Sequence, residues 1–302
     1  MSEEEQASKE PETEYGISGA KGILPALKGM VSFFTIIRLP VDMKEFDAME
    51  RNFWLAPVIG ALVGAVAFIT CLILGLLNFG TLAQGVFALA AAYLFSKFLH
   101  FDGLTDFGDG MICSSGDREK HVRALKDTLV GAGGVGVAVI TVLITVVLYS
   151  MAGSHVIVWS HDYEHSVSVA FVAFACEILV KNAQVSAAAF GEPGNGMASR
   201  QVGCTTVNSM LKSTALTCLM IAVLALAYRY VDGCGAGGYS FEAYVYLLVP
   251  VAAVIASIVV GWWMARTANR NFGFVNGDIL GATNEISRAV ILLVICVILG
   301  AL

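Results

Sequence analysis

The sequence Leu99-His-Phe-Asp-Gly-Leu-Thr-Asp-Phe-Gly-Asp-Gly110 places three aspartates directly after an almost wholly apolar segment, Leu82 to Leu99. A segment this apolar is expected in lipid, where a carboxylate is costly unless it lies at the water boundary or has a partner. On a helix, spacings of four and seven bring Asp102, Asp106 and Asp109 within an arc of roughly 60°. Such a face can bind a divalent cation, so the stretch predicts a membrane helix that ends in a metal site.

The composition is that of a membrane protein. Apolar residues make up 57% and charged residues 14% of the 302 residues, whereas a soluble domain has about 25% charged residues. Several apolar segments are long enough to cross a hydrocarbon core of about 30 Å. We therefore predict an all-α fold, a polytopic integral membrane bundle of about seven transmembrane helices. The predicted spans are residues 54–77, 82–99, 130–152, 167–190, 213–230, 244–265 and 286–302.

The chain divides into a short tail and one membrane domain. Residues 1–20 are predicted to be a disordered acidic tail, and residues 21–302 the polytopic domain. The first fifteen residues are acidic and polar, unlike a cleavable signal peptide. Residues 22–39 form an amphipathic segment, and two interpretations stay open: a helix on the membrane surface or a short helix packed on the spans. Pro40 is expected to end it.

Lysine and arginine are concentrated on one predicted side of the membrane. They occur in residues 21–51, 100–129, 191–212 and 266–285, while the opposite loops contain almost none. This distribution predicts a cell-membrane protein with its N-terminus and its polar clusters on the cytoplasmic side. The expected partner is the lipid bilayer and no nucleic acid, and assembly into a homo-oligomer stays open. Polar clusters at one boundary suit an enzyme with water-soluble substrates.

The aspartate cluster suggests magnesium. Mg²⁺ is usually held by one or two carboxylates, water and substrate phosphate, so Asp102, Asp106 and Asp109 are predicted metal ligands. Asp127 either completes the metal shell or caps the next span. The run Gly131–Gly136 matches GxGxxG, but a dinucleotide site is rejected because no strand precedes it. Its helix N-terminal amides are expected to be free for phosphate.

Two more charged clusters lie in the later spans. Glu177 and Lys181 are four residues apart and are expected to pair, with Lys181 close enough to the cytoplasmic end to reach a phosphate. Asp278 and Glu285 are seven residues apart on one helix face. Arg288, three residues beyond Glu285, is expected to pair with it. Intramembrane charges of this kind are functional candidates.

Two features keep more than one interpretation. His100 is either an anchor at the membrane boundary or a proton carrier. The sequence Gly191-Glu-Pro-Gly-Asn-Gly196 is either a substrate lid or a turn, since its glycines allow both.

Three stretches carry a resemblance to a known family. Leu99–Gly110, Lys126-Asp-Thr-Leu-Val-Gly131 and Gly277-Asp-Ile-Leu-Gly-Ala-Thr-Asn-Glu285 are similar in order and spacing to the cobalamin synthases, the adenosylcobinamide-GDP ribazoletransferases of vitamin B12 assembly. The similarity extends over roughly residues 32–302. It implies a polytopic membrane enzyme that joins α-ribazole, or its 5'-phosphate, to adenosylcobinamide-GDP. GMP is released, adenosylcobalamin or its phosphate is formed, and Mg²⁺ is required.

The resemblance and the residues together predict the site. The predicted catalytic residues are Asp102, Asp106, Asp109 and Asp127, and the predicted substrate-binding residues are His100, Lys181, Asp278, Asn284 and Glu285. Two positions depart from the family pattern. Leu129 stands where an arginine is usual after the downstream aspartate, and Lys181 stands where an arginine is common. Either change weakens bidentate contact with phosphate.

The residues alone leave two other functions open. A membrane phosphotransferase of the CDP-alcohol type also uses clustered aspartates, but its motif has Ala-Arg shortly after Asp-Gly, which Gly103 and Gly110 lack. A divalent-cation transporter would use the same carboxylates without cleaving a bond. It predicts polar residues deep in both halves of the chain.

Overall fold

The fold is helical throughout the part of the chain that can be described. The computed structural model describes residues 22–113, 116–155, 165–232 and 242–301, and the predicted tail lies outside them. These ranges contain no strand beyond one isolated bridge between Pro193 and Val275, which confirms the all-α prediction. The helices are α1 (Ile23–Phe34), α2 (Met43–Arg51), α3 (Ala56–Leu76), α4 (Thr81–Phe95), α5 (Leu99–Ile112), α6 (Arg118–Leu125), α7 (Ala132–His155), α8 (His165–Phe190), α9 (Ser199–Cys204), α10 (Val207–Asp232), α11 (Glu242–Asn271) and α12 (Gly277–Ala301).

Six of the described helices, α3, α7, α8, α10, α11 and α12, are long and apolar enough to cross a membrane. A seventh apolar unit is the pair α4 and α5, which is bent by 96° at a short break. With 15 residues, α4 is about 22 Å long and alone is shorter than the hydrocarbon core of about 30 Å. The prediction of about seven long apolar helices is therefore confirmed, with one of them broken.

The break explains why the second predicted span, 82–99, ends early. α4 stops at Phe95, and the N–H of Phe98 donates to the carbonyl oxygen of Tyr93 at 2.8 Å. Lys97 takes the left-handed conformation with a φ of 57°. This bonding is that of a Schellman motif, in which glycine usually occupies the left-handed position. α5 then starts in a new direction and carries the aspartates on a separate helix.

The last helix begins earlier than its predicted span, 286–302. Asn276 is the N-cap of α12, because its side-chain oxygen accepts a hydrogen bond from the N–H of Ile279 at 3.1 Å. An Asn cap satisfies one of the amides that a helix N-terminus leaves without an intrahelical acceptor. Asp278 and Glu285 therefore belong to the same helix as the final apolar segment.

α8 forms the centre of the bundle. It packs against α3, α7, α10, α11 and α12, and 78% of its apolar window is buried, against 22% for α10. Its closest neighbour is α3, where Gly60 meets the backbone of Glu177. A Cβ atom at Gly60 would collide with the carbonyl oxygen of Glu177. The missing side chain therefore sets how near α3 approaches α8, as small residues do in membrane helix packing.

The amphipathic segment proves to be a short packed helix. Ala26, Met30 and Phe34 of α1 are buried in a core that includes residues of α2 and α3, while Ile23 and Leu24 stay exposed. The helix ends at Phe34, five residues before the expected position, since the next residue is already extended.

Replacing Gly60 with alanine tests the contact between α3 and α8. The added methyl group has no room beside the Glu177 carbonyl, and overpacking of this kind costs about 1–3 kcal/mol. The matched control is Gly136→Ala in α7, where a Cβ would meet no atom within 4 Å. We expect Gly60→Ala to lower the thermal unfolding midpoint in detergent and Gly136→Ala to keep or raise it. Equal midpoints for the two variants would contradict the packing described.

Candidate active site

An open pocket of about 410 Å³ lies where α5, α12 and the connection between α6 and α7 meet. It brings together residues from the three stretches that carry the family resemblance. Most of its lining side chains are polar or charged. They are Asp102, Asp106, Leu125, Lys126, Asp127, Thr128, Val130 and Asp278.

The crossing of α5 and α12 is tight at the pocket. A Cβ atom at Gly103 would lie 2.6 Å from the carbonyl oxygen of Asp278, closer than a real side chain approaches. The absence of a side chain at Gly103 thus lets the backbone of α12 come next to the helix turn that holds Asp102 and Asp106. This contact is why carboxylates from two distant parts of the chain share one pocket.

The side chain of Asp278 is fixed by a hydrogen bond from Asn276. The amide nitrogen Nδ2 of Asn276 donates to Oδ2 of Asp278 at 2.7 Å. Since Asn276 is the cap of α12, the carboxylate of Asp278 is not needed for capping. It stays available on the pocket wall, where it is only partly buried.

Asp109 has a different position from the other two aspartates of α5. Its two carboxylate oxygens accept hydrogen bonds from the N–H groups of Gly131 at 2.6 Å and Gly134 at 2.7 Å. Asp109 therefore caps the N-terminus of α7, and it does not line the pocket. The prediction that the amides at Gly131–Gly136 are free for phosphate is wrong for these two, because Asp109 occupies them. Its role as a metal ligand stays a prediction.

Asp127 and Lys126 enter the pocket from the connection before α7. Oδ1 of Asp127 accepts the N–H of Leu129 at 3.0 Å, so Asp127 closes a local turn and leaves the capping of α7 to Asp109. The ammonium of Lys126 lies 5.5 Å from the centre of the Phe274 ring. Neither Lys126 nor Thr128 is among the predicted site residues, although both lie in the stretch that carries the family resemblance.

The pocket is strongly negative. Its lining in the described structure contains four carboxylates and one ammonium group, a balance that favours cations. No three His, Cys, Asp or Glu residues in the described ranges stand close enough together to hold a metal ion on their own. Oxygen donors in this arrangement fit Mg²⁺, which takes one or two carboxylates and completes its shell with water and phosphate.

Three of the predicted substrate-binding residues, His100, Lys181 and Asn284, are buried inside the bundle and do not line the pocket. Lys181 bonds to the other two. Nζ of Lys181 donates to Oδ1 of Asn284 at 2.9 Å and to Oε1 of Gln184 at 3.0 Å, and it lies 2.7 Å from Nε2 of His100. All four side chains are buried. An ammonium group has three N–H donors, and here each has an acceptor. The structure joins these residues but does not place them on the pocket wall.

The second part of the buried polar network surrounds Arg288. Its guanidinium bonds to Glu177, with Nε 3.0 Å from Oε1, and pairs with Glu285 as predicted. Tyr93 donates its hydroxyl to Oε2 of Glu285 at 2.7 Å. The predicted pair between Glu177 and Lys181 is wrong, because the guanidinium fork of Arg288 occupies the Glu177 carboxylate from α12.

The segment Gly191–Gly196 is anchored at its start. The carbonyl oxygen of Glu192 accepts the N–H of Val275 at 2.7 Å, which ties the segment to the turn before α12. Downstream, Arg200 lies 3.7 Å from Glu50 of α2. Burial raises the pKa of Glu50, and the charge of Arg200 opposes that rise. The segment does not line the pocket.

Replacing Asp109 with alanine tests its role as a cap. Loss of a side-chain N-cap costs about 0.5–2 kcal/mol, so we expect Asp109→Ala to lower the free energy of unfolding by about that amount. Asp127→Ala is the control, since its carboxylate closes only an exposed turn. The measurement is the unfolding midpoint in detergent for both variants. A drop for Asp127→Ala as large as that for Asp109→Ala would contradict the assignment.

The chain is similar to known proteins over most of its length. Residues 26–296 match the family described as cobalamin-5-phosphate synthase. The adenosylcobinamide-GDP ribazoletransferase of Methanocella arvoryzae is 30% identical over 89% of this chain and 94% of its own length. Those of Methanococcoides burtonii and Pyrococcus furiosus are 29% and 28% identical, over 93% and 89% of this chain and 94% and 98% of their own lengths. No solved structure matches significantly. The chain therefore belongs to the cobalamin-5-phosphate synthase family.

Proposed function

We propose that this protein joins α-ribazole, or its 5'-phosphate, to adenosylcobinamide-GDP in a late step of cobalamin biosynthesis, releasing GMP and forming adenosylcobalamin or its phosphate. The observation that carries the proposal is the convergence of Asp102, Asp106, Asp278 and Lys126 on one pocket. Family membership supports the choice of substrates, since the relatives carry the name of this transferase.

The reaction is a phosphoryl substitution. A hydroxyl oxygen of the ribazole attacks a phosphorus of the diphosphate, and the bond from that phosphorus to the oxygen of GMP breaks. The hydroxyl proton passes to a base. The protein therefore has to position two substrates and neutralise charge at the phosphates. A pocket lined by acidic groups needs a cation before it can accept a diphosphate.

Magnesium is the cofactor we propose, because the pocket offers carboxylate oxygens and little else to a metal. Asp102 and Asp106, one helix turn apart on α5, are the residues that would hold it, with Asp278 beside them. When bound, the ion would neutralise phosphate charge and stabilise the leaving GMP. Asp109 also remains a proposed ligand, although its bonds to the start of α7 restrict its movement.

The other pocket residues supply charge and a base. Lys126 is the only cation among the lining residues that the structure describes, and its ammonium would contact a phosphate oxygen. A pocket carboxylate that is not bound to metal would accept the hydroxyl proton, as a general base must lie within hydrogen-bonding reach. Asp127 is proposed among these catalytic carboxylates because it shares the wall with Lys126.

The predicted substrate-binding residues that do not line the pocket would act indirectly, by fixing the positions of α5 and α12. His100 lies two residues before Asp102 on α5, and Asn284 and Glu285 lie on α12 beyond Asp278. Their bonds to α4 and α8 fix the two helices that present the carboxylates. We propose that His100, Lys181, Asn284 and Glu285 support substrate binding in this indirect way.

The proposed location is the cell membrane, with the pocket open to the cytoplasm. The pocket lies at the end of the bundle where the segments rich in lysine and arginine gather, which include Lys126 and Arg200. Positive residues favour the cytoplasmic side in short loops. Both substrates would then reach the pocket from the compartment in which they are soluble.

The test reconstitutes the purified protein in liposomes with Mg²⁺, adenosylcobinamide-GDP and α-ribazole, and measures GMP and the cobalamin product by mass spectrometry. We expect both products in equal amounts. Asp106→Asn removes a carboxylate that would hold the Mg²⁺ ion, so product formation should fall about a hundredfold or more. Glu119→Gln is the matched control, because Glu119 is an exposed acid on α6 outside the pocket.

Three results would contradict the proposal. Full activity of Asp106→Asn would show that the aspartate cluster is not part of the reaction. A phospholipid product in place of cobalamin would favour the CDP-alcohol type. Transport of labelled divalent cation across the bilayer without either product would show that the carboxylates serve transport.

A further inference from the structure

α11 has one face that no other described helix covers. Leu248, Val251, Ile255, Val259 and Trp262 follow one another at intervals of three or four residues, which places them on one side of the helix. Their side chains are between 44% and 55% exposed. A continuous apolar stripe on a membrane helix faces lipid, so acyl chains are its expected neighbours.

The same face continues into a polar pocket at the C-terminal end of α11. Arg266 and Arg270 lie four and eight residues after Trp262, in line with the stripe. They line an open pocket of about 420 Å³ together with the two tryptophans and two small polar residues; its lining is Trp262, Trp263, Arg266, Thr267, Arg270 and Asn271. The guanidinium carbon of Arg266 lies 5.7 Å from the centre of the Trp262 ring.

The two arginines have no carboxylate partner within the described part of the chain. Arg51, Arg200 and Arg288 each pair with a carboxylate, whereas within the described ranges neither Arg266 nor Arg270 forms an ion pair. Both are exposed. The pocket's described lining also includes no carboxylate that could bind the ammonium of a zwitterionic headgroup. The charge complementary to this pocket is therefore an anion.

The depth of the arginines matches a phospholipid headgroup. Arg266 follows Val259 by seven residues, a rise of about 10 Å along the helix. Tryptophans mark the boundary between hydrocarbon and headgroups. A second pair of this kind, Lys212 with its ammonium 5.9 Å from the Trp54 ring, lies at the same end of the bundle. The guanidinium groups would thus reach phosphate level while the stripe stays among acyl chains.

We propose that this face of α11 binds an anionic phospholipid, with its acyl chains along the stripe and its phosphate held by Arg266 and Arg270. Guanidinium groups bind phosphate through two parallel N–H donors, and the arginines share the helix face with the stripe. The lipid would belong to the leaflet into which the acidic pocket opens. The inference does not depend on the proposed reaction.

Native mass spectrometry of the full chain tests the proposal. The protein is released from nanodiscs that contain equal amounts of phosphatidylglycerol and phosphatidylcholine with the same acyl chains. We expect the wild type to retain phosphatidylglycerol in preference to phosphatidylcholine. Arg266→Gln combined with Arg270→Gln should reduce that preference about tenfold or more, because each basic residue near the surface attracts anionic lipid. Inorganic phosphate in excess should leave the wild-type preference in place, because the acyl chains also contribute.

The matched control is Lys120→Gln combined with Arg123→Gln, which removes the same charge from exposed positions on α6 and should keep the preference. The proposal is overturned if the wild type shows no preference, or if both double variants lose it equally. Displacement of the lipid by inorganic phosphate would identify a simple anion site. A dimer that the Arg266/Arg270 variant disperses, with no lipid preference, would show that a second copy covers the face.

Discussion

The bundle depends on the placement of one guanidinium group, that of Arg288, between two carboxylates in its interior. Arg288 is buried and bonds to Glu177 of α8 and Glu285 of its own helix. A buried charge without a partner is so costly that each of these groups requires the others. Tyr93 adds α4 through its bond to Glu285, so the network joins α4, α8 and α12 inside the bundle.

The network extends to α5 and α12, the two helices that carry the aspartates of the acidic pocket. Asn284 donates to Glu285 and accepts from Lys181, which reaches His100 at the start of α5. The interior charges are thus compensated by each other, while the carboxylates of the pocket face one ammonium group and open solvent. The charges that stabilise the fold are thus separate from the charges of the acidic pocket; on α12, Asp278 lies seven residues before Glu285.

Much of this architecture was predictable from the sequence, because apolar length and clustered aspartates are local properties. The helical class, the pairing of Glu285 with Arg288, and the meeting of Asp102, Asp106, Asp127 and Asp278 followed from spacing or from the family resemblance. Two of the errors concern tertiary partners, and others concern where a helix begins or ends. Asp109 caps a helix that begins 23 residues later, Glu177 has its partner on α12, and α4 ends at a left-handed lysine where no glycine signals the break. None of these three features is visible in the hydrophobic periodicity or the composition of the sequence.

The free energy of unfolding in mixed micelles tests directly whether the interior charges stabilise the bundle only as a set. Arg288→Met alone leaves two buried carboxylates without a positively charged partner, and we expect a loss of about 3–5 kcal/mol. Adding Glu177→Gln and Glu285→Gln to the same chain removes those charges and should recover most of the loss. A triple variant no more stable than Arg288→Met would contradict the account.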